Sequence, residues 1–205
     1  MTEKRDIVKS NALIEALYNP SSVYHMRLLM AALIQVKSKE ELDFRTRYYV
    51  TANALADMTN TKAKINYNEL KPADQLMSST LTVKDSPDGE PLSKYLKMNL
   101  VSSCQYEDGA GTVGLRFTEE VIPYISSLKT RFTKYQAQYV MPMRSGYGIR
   151  LYELCLQWLG NEREFSVENF REIFCLTDKY PAIAELKRNV VEPAIRDINR
   201  FSDIT

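Results

Sequence analysis

The segment that organises this chain is residues 183–200, IAELKRNVVEPAIRDINR. At 100° per residue its aliphatic side chains gather on one side, which predicts an amphipathic helix with a broad apolar stripe. The apolar side comprises Ile183, Leu186, Val190, Val191, Ala194 and Ile198. The opposite side comprises Glu185, Arg188, Asn189, Glu192 and Arg196.

The polar side of this helix allows two interpretations. Arginine can bind guanine, asparagine can bind adenine, and glutamate can accept a hydrogen bond from cytosine in the major groove of DNA. A helix face that is only solvated is common and would look similar. The rest of the chain has to decide between a face that reads bases and a solvated face.

Two residues complicate the predicted helix. Pro193 lacks a backbone N–H and crowds the carbonyl four residues earlier, so we expect a kink or a break near residues 189–192. Lys187 falls within the apolar stripe, and we expect its aliphatic stem to lie along the edge of the core.

The composition is that of an ordinary globular protein. The 205 residues are 44% hydrophobic and 26% charged, which suits one large domain or two of about 100 residues each. No apolar run approaches the ~20 residues of a membrane span, and the first residues lack a secretory signal. Cys104, Cys155 and Cys175 are scattered, as expected of reduced, buried thiols in a cytoplasmic protein.

The distribution of charge is more informative than the net charge of +1, which by itself argues weakly against a nucleic-acid partner. Residues 129–150 contain no acidic residue, and a local charge of this kind attracts phosphates. A solvated linker could have the same composition. The basic residues of this segment are Lys129, Arg131, Lys134, Arg144 and Arg150.

The first half of the chain has the element order of a winged helix-turn-helix domain. We expect residues 1–10 to be frayed, a short helix over 11–18, and a helix over 23–36 that begins at Ser21 or Ser22. A strand over 47–51 precedes two helices, 52–58 and 62–78, joined by a tight turn, and Pro72 interrupts the second. Period-two alternation then predicts strands at 80–84, 95–104 and 113–117, with a turn at 86–89.

The second half repeats the order helix, helix, turn, helix without a clear repeat in sequence. Thr118 is predicted to cap a helix that contains Ile122, Ser145 a helix to residue 159, and Ser166 a helix to residue 176. The fold class is therefore predicted as α+β, with tandem winged helix-turn-helix domains over residues 1–128 and 129–205.

The sequence gives little support for an enzyme. Gly109–Gly114 matches GxGxxG, but a strand follows it, whereas a dinucleotide site needs a helix there; we interpret it as a hairpin turn. The one histidine, His25, lies in an apolar helical run and is expected to be structural. The sequence thus predicts no cofactor, no metal site and no catalytic residues.

Four segments resemble the initiator replication proteins of iteron-containing plasmids, the Rep family with two winged-helix domains. The first is IVKSNAL at 7–13, and the second is residues 103–117, ending in VGLRF, with IPYISSL at 122–128. The third is RFTKY at 131–135 with YGIRLYEL at 147–154, and the fourth is LKRNVVEPAIRDIN at 186–199. Each segment is loose, but together they span nearly the whole chain in the family's order.

This resemblance implies a function and partners. Family members bind repeated origin sites in double-stranded plasmid DNA as monomers, through the second domain's helix, and form dimers through the first domain that often repress their own gene. Contacts to the host initiator and to the replicative helicase are implied too. The runner-up interpretation is a dimeric repressor or protein-interaction module that does not initiate replication.

Candidate DNA contacts follow from the resemblance and the basic segments together. Arg188 and Asn189 match the family's DNA-contacting positions, and Arg131 and Lys134 match the start of its second domain. The full candidate set is Arg188, Asn189, Lys187, Glu185, Arg196, Lys179, Arg131, Lys134, Arg144, Lys62 and Lys64.

The chain departs from the family pattern at two places. Pro72 lies where the first domain's long helix is usually uninterrupted, which puts that domain's contacts to the DNA backbone in doubt. The sequence ends at Thr205, so at most one strand follows the last helix. We therefore expect either a fragment or a second domain that lacks its C-terminal wing, with reduced stability and affinity.

Overall fold

The computed structural model describes residues 5–20, 22–59, 73–107, 111–158, 160 and 162–204. The strands are β1 (Asp6–Ser10), β2 (Tyr48–Thr51), β3 (Thr80–Asp85), β4 (Pro91–Asn99), β5 (Val101–Glu107), β6 (Thr112–Phe117) and β7 (Phe132–Gln136). The helices are α1 (Asn11–Ile14), α2 (Val23–Leu33), α3 (Ala52–Thr59), α4 (Ala73–Ser78), α5 (Ile122–Ile125), α6 (Ala137–Val140), α7 (Gly146–Leu156) and α8 (Val167–Ile173). A longer helix, called here the C-terminal helix, runs from Ile183 to Phe201.

The first strand joins the two halves of the chain. β1 pairs antiparallel with β7, with Ile7 opposite Tyr135, and Ile7 is fully buried. The prediction that residues 1–10 are frayed is therefore wrong for residues 5–10; residues 1–4 lie outside the described part. Burial of Ile7, together with the ladder to β7, supplies the free energy that orders this segment.

A three-stranded antiparallel sheet of order β2-β6-β5 forms the first wing. The predicted strand over 95–104 is wrong as one element, because the chain leaves the β3–β4 pair at Asn99 and enters the wing at Val101. The hydroxyl of Thr118 donates to the Asn99 carbonyl at 2.6 Å, and the Thr118 N–H donates to Leu100 at 3.1 Å. Thr118 precedes the 3-10 turn Glu119–Val121, as predicted, but its hydroxyl makes no capping bond there. It holds the crossing between the sheets instead.

The first helix-turn-helix is described only in part. α3 agrees with the predicted helix, and α4 is the end of the predicted second helix. The turn at Asn60, the cations Lys62 and Lys64, and Pro72 lie outside the described residues.

Helices α2 and α7 occupy equivalent places in the two halves. Ser22 and Ser145 cap them as predicted, accepting from the N–H groups of His25 and Gly148. Both helices end sooner than predicted, at Leu33 and Leu156, as does α1 at Ile14.

The apolar side chains form two cores. The larger lies among α2, α7, the wing and the β1–β7 pair, and it is continuous across residues 128 and 129. The smaller lies under the C-terminal helix and comprises Ile14, Leu154, Ile173, Phe174, Leu176, Leu186 and Val190. The second core fixes which side of that helix faces outward.

The three thiols are free, as predicted. Cys104 and Cys155 are half-buried, whereas Cys175 is exposed, so the expected burial is wrong at Cys175. Cys175 has a left-handed backbone with φ 50°, where the chain turns out of α8 towards the surface.

Candidate nucleic-acid interface

The C-terminal helix is continuous but changes its winding in the middle. Residues Lys187–Val191 form a π-helical turn between α-helical ends, and the Glu192 N–H reaches back five residues to the Lys187 carbonyl. The irregularity predicted from Pro193 therefore occurs where expected, as a wider turn. Since Pro193 has no N–H, the carbonyl of Asn189 has no α-helical donor, which favours wider winding at this point.

The wider turn keeps the buried residues of the helix on one face. In a regular α-helix, a residue four positions later lies about 40° further around the helix axis, so residues with this spacing drift away from a single face. A turn with more residues reduces this drift. Leu186, Val190, Ala194 and Ile198 have this spacing, and all are at most 6% exposed.

The outward face carries the residues predicted to contact DNA. Lys187, Arg188, Asn189 and Arg196 are exposed, and Glu185 is half-buried. Lys187, expected to follow the core edge, is exposed together with Arg188 and Asn189.

Ile183, predicted to lie in the core, is 64% exposed. It is the first residue of the helix, and the smaller core that buries Leu186 and Val190 does not include it. The apolar stripe predicted from 100° spacing is therefore wrong at its first position.

The amide of Asn189 is held by its own helix. Its side-chain Nδ2 donates to the Glu185 carbonyl at 2.9 Å. An amide has a second N–H and an oxygen that accepts, and these are the groups that bind adenine. The bond to Glu185 therefore orients the side chain and leaves its second N–H and its oxygen available.

A buried carboxylate attaches α7 to the C-terminal helix. Oδ2 of Asp197 accepts from the backbone N–H groups of Arg144 and Ser145, at 2.7 and 2.8 Å. These bonds also bring Arg144 beside the C-terminal helix. Sequence reasoning missed Asp197, although an acid among the buried positions of an amphipathic helix was a usable signal.

The turn before the C-terminal helix is organised by Arg171, which sequence reasoning also missed. Its guanidinium donates to four backbone carbonyls of this turn, those of Leu176, Lys179, Tyr180 and Pro181. Tyr180 has a left-handed backbone, with φ 53°. Arg171 therefore sets the position from which the helix starts, and the exposed Lys179 lies on the turn it holds.

The basic segment 129–150 is not a uniform surface patch. The Arg131 guanidinium donates to the Gly89 carbonyl at 3.2 Å, and Lys134 forms an ion pair with Asp6 at 2.7 Å. Arg150 is 3% exposed, so its predicted surface position is wrong. Of these residues, Arg144 is the one that the structure ties to the C-terminal helix.

Arg150 belongs to a buried charge cluster. The Lys9 ammonium lies 2.5 Å from Oε1 of Glu153, and the Tyr135 hydroxyl donates to the same oxygen. Burial lowers the pKa of Lys9 and that of Arg150. Burial and the Glu153 carboxylate raise the pKa of Tyr135. The cluster joins β1, β7 and α7 inside the molecule.

Other kinds of site receive no support from the part of the chain that the structure describes. It contains no group of three or more His, Cys, Asp or Glu side chains placed to hold a metal ion. Among the described helices, none is both long and apolar enough to cross a membrane. Gly114 lies inside β6, so a strand continues from the GxGxxG run, as predicted; Gly109 is outside the described residues.

Comparison with known proteins agrees with this architecture. Residues 6–156 match the model of the initiator replication protein WH1 domain, and residues 166–205 match that of the initiator Rep protein WH2 domain. The chain belongs to the initiator replication protein family. Its two family domains are winged-helix domains, as the resemblance predicted.

Relatives of this chain include two proteins from Escherichia coli. One, the PI protein, is 25% identical over 87% of this chain and 68% of its own length. The other, a replication initiation protein, is 27% identical over 75% of this chain and 49% of its own length. The chain thus spans about half to two thirds of the length of these relatives.

A solved structure shares the fold. The crystal structure of the Pi initiator protein in complex with iteron DNA superposes with a TM-score of 0.78. The match covers 100% of this chain and 90% of that one, at 24% identity.

Proposed function

We propose that this chain is a sequence-specific DNA-binding protein that initiates plasmid replication by binding repeated sites at an origin. The observation that carries the proposal is the outward face of the C-terminal helix. Lys187, Arg188 and Asn189 are exposed side by side, above a core that fixes the helix's rotation.

The chemistry of this face suits the major groove. Arginine binds the O6 and N7 atoms of guanine, and an asparagine amide binds adenine. The relatives are replication initiators, and the related Pi initiator was crystallised with iteron DNA. We assign phosphate contacts to Lys179, Arg144 and Arg196, which lie on or beside this helix, and minor roles to Arg131 and Lys134, which already have protein partners.

The test is a salt series of binding to a duplex that carries the directly repeated sequence beside the gene of this chain. A scrambled duplex of equal length is the control. We expect preference for the repeat and an affinity that falls steeply with salt, as phosphates release counterions. Equal and weak binding to both duplexes would contradict the proposal.

We also propose that residues 1–128 form the dimerisation unit and contact the DNA backbone, while residues 129–205 read the sequence. β4 has nine residues and pairs on one side with β3. Among the described residues no strand covers its other edge, and Tyr95 on it is 70% exposed. A long open edge of this kind favours pairing with another strand.

This edge favours the second candidate function, a dimer that represses the initiator's own gene. Sedimentation with and without one repeat discriminates the two functions: a monomer bound to the repeat supports initiation, whereas a dimer that binds a single repeat poorly supports the second candidate. Tyr95→Lys should weaken the dimer, whereas Tyr49→Lys, at an exposed tyrosine on β2, should not. A Tyr95→Lys variant that dimerises normally would contradict the β4 assignment. Contacts to a host initiator and helicase stay a proposal from family membership.

A further inference from the structure

The start of the C-terminal helix exposes an apolar surface that the polar base readers do not explain. Four consecutive residues, Pro181 to Ala184, are exposed, and Ile183 is 64% exposed. A large aliphatic side chain left in water at the first helical position forgoes the free energy of burial. It indicates a surface that is covered when the protein is bound to a partner.

The position of this surface indicates the kind of partner that covers it. Residues one turn apart share a helix face, so Ile183 lies beside Lys187 and Ala184 beside Arg188. An apolar patch bordered by two exposed cations suits an apolar group within a polyanion. In helix-turn-helix proteins the first turns of this helix approach the base edges most closely.

Thymine is the base that presents an apolar group in the major groove, its 5-methyl. We propose that Ile183 is a specificity-determining residue that packs on a thymine 5-methyl group in the repeat. The inference rests on the proposed function and adds to it: Arg188 and Asn189 read polar edges, while Ile183 requires thymine at a neighbouring position.

The neighbouring chemistry is consistent with this division of roles. Glu185 is half-buried, and its carbonyl is used by the Asn189 amide, so this part of the helix offers Ile183 and Ala184 as its outward apolar groups. Arg171 holds the preceding turn through four carbonyls. Ile183 is therefore presented from a fixed helix start.

The test compares repeat duplexes that contain thymine with duplexes in which uracil replaces it, since uracil differs by the methyl group alone. For the unaltered chain we expect uracil to weaken binding about three- to fivefold, the effect of one buried methyl group. In Ile183→Ala this thymine-to-uracil ratio should fall towards one. The ratio is the readout, because a general loss of affinity leaves it unchanged.

Ile195→Ala is the matched control. Ile195 is also an exposed isoleucine of the same helix, 44% exposed, but it lies twelve residues later, about 18 Å along the axis. It should keep the full ratio. An Ile183→Ala variant with the ratio of the unaltered chain, or an Ile195→Ala variant that loses it equally, would overturn the inference.

The outcome separates this inference from the proposed function. Preference for the repeat over scrambled DNA with no response to uracil would overturn the role of Ile183 and leave sequence-specific binding intact. No preference for the repeat would overturn both. Because Ile183 is exposed, its replacement should leave the thermal unfolding of the chain unchanged, and that measurement accompanies each binding series.

Discussion

Arg188 and Arg144 are the two arginines whose proposed DNA contacts differ most in kind. Arg188 points outward from the first half of the C-terminal helix, next to Asn189. Arg188→Ala should therefore reduce binding to the repeat by about 1–3 kcal/mol and relax the preference at one base pair. Binding isotherms on the repeat and on its single-base variants measure both effects, and an unchanged isotherm would exclude this role.

Arg144 lies at the beginning of α7, where Asp197 fixes its backbone. A cation beside the helix is placed for a phosphate. Arg144→Ala should accordingly weaken binding to the repeat and to scrambled DNA alike and lower the salt slope by about one. A selective loss on the repeat would instead assign Arg144 to base reading.

Asp197 is the polar residue of this helix whose loss should lower the stability of the chain. Its carboxylate accepts from two backbone N–H groups and is 8% exposed. Asp197→Ala leaves both donors without this acceptor, and we expect the free energy of unfolding to fall by about 2–4 kcal/mol. Urea denaturation measures this, with the exposed Asp178→Ala as control. Equal stability of the two variants would contradict the prediction.

At the scale of the element, the C-terminal helix depends on the turn before it. Arg171 binds that turn through carbonyls on both sides of Lys179, and a lysine, with one compact ammonium, cannot span them. Arg171→Lys should lower the free energy of unfolding by about 2 kcal/mol. It should also weaken binding to the repeat more than to scrambled DNA, because the helix start shifts.

Lys179→Ala is the control for Arg171→Lys, since it keeps the backbone carbonyl that Arg171 uses and removes only a surface cation. It should leave stability unchanged and weaken both duplexes equally. If Arg171→Lys instead keeps the stability and the binding of the unaltered chain, Arg171 contributes only the charge that lysine retains and does not position the helix.

The sequence predicted most of this helix, and the exception has a physical cause. Spacing identified Leu186, Val190, Ala194 and Ile198 as buried, and Pro193 located the irregularity. A 100° wheel assumes uniform winding, so it could not anticipate the π turn at Lys187–Val191. It also placed Ile183 with the core by angle, although the core ends short of the helix start. Arg171 gave no signal, since its partners are carbonyls, which every residue has.

At the scale of the whole molecule, the two halves contact each other through equivalent arginines. Ser22, Tyr24, Arg27 and Leu28 recur as Ser145, Tyr147, Arg150 and Leu151. Arg27 donates to the carbonyls of Met141 and Met143, before α7. Arg150 donates to that of Ala16, before α2. The arginine of each half thus hydrogen-bonds to the loop that precedes the helix of the other half.

This exchange limited what the sequence could reveal about the whole molecule. The element order predicted two similar units, but the shared residues are few and dispersed, so the repeat became recognisable only when its contacts were seen. The pairing of β1 with β7 was equally hidden, because a register between distant strands leaves no local pattern. For the same reason Lys9 and Arg150 were assigned to a frayed end and to the surface.

In the buried cluster between the halves, replacing the carboxylate should lower the free energy of unfolding more than replacing one of the cations. Two cations, Lys9 and Arg150, face one carboxylate, Glu153, and all three are at most 4% exposed. Glu153→Gln leaves two buried cations without a counter-charge, and we expect a loss of about 3–5 kcal/mol in the free energy of unfolding. Lys9→Met leaves Glu153 with Arg150 and the Tyr135 hydroxyl, so it should cost less than half as much.

Urea denaturation of the two variants and of their combination decides this. The double variant should be more stable than the sum of the single losses predicts, because Lys9→Met removes one of the cations that Glu153→Gln leaves unpaired. A Lys9→Met variant as unstable as Glu153→Gln would mean that Arg150, whose Nη1 is 3.9 Å from Oε2 of Glu153, does not balance the carboxylate. The Lys9–Glu153 pair alone would then hold β1 to α7.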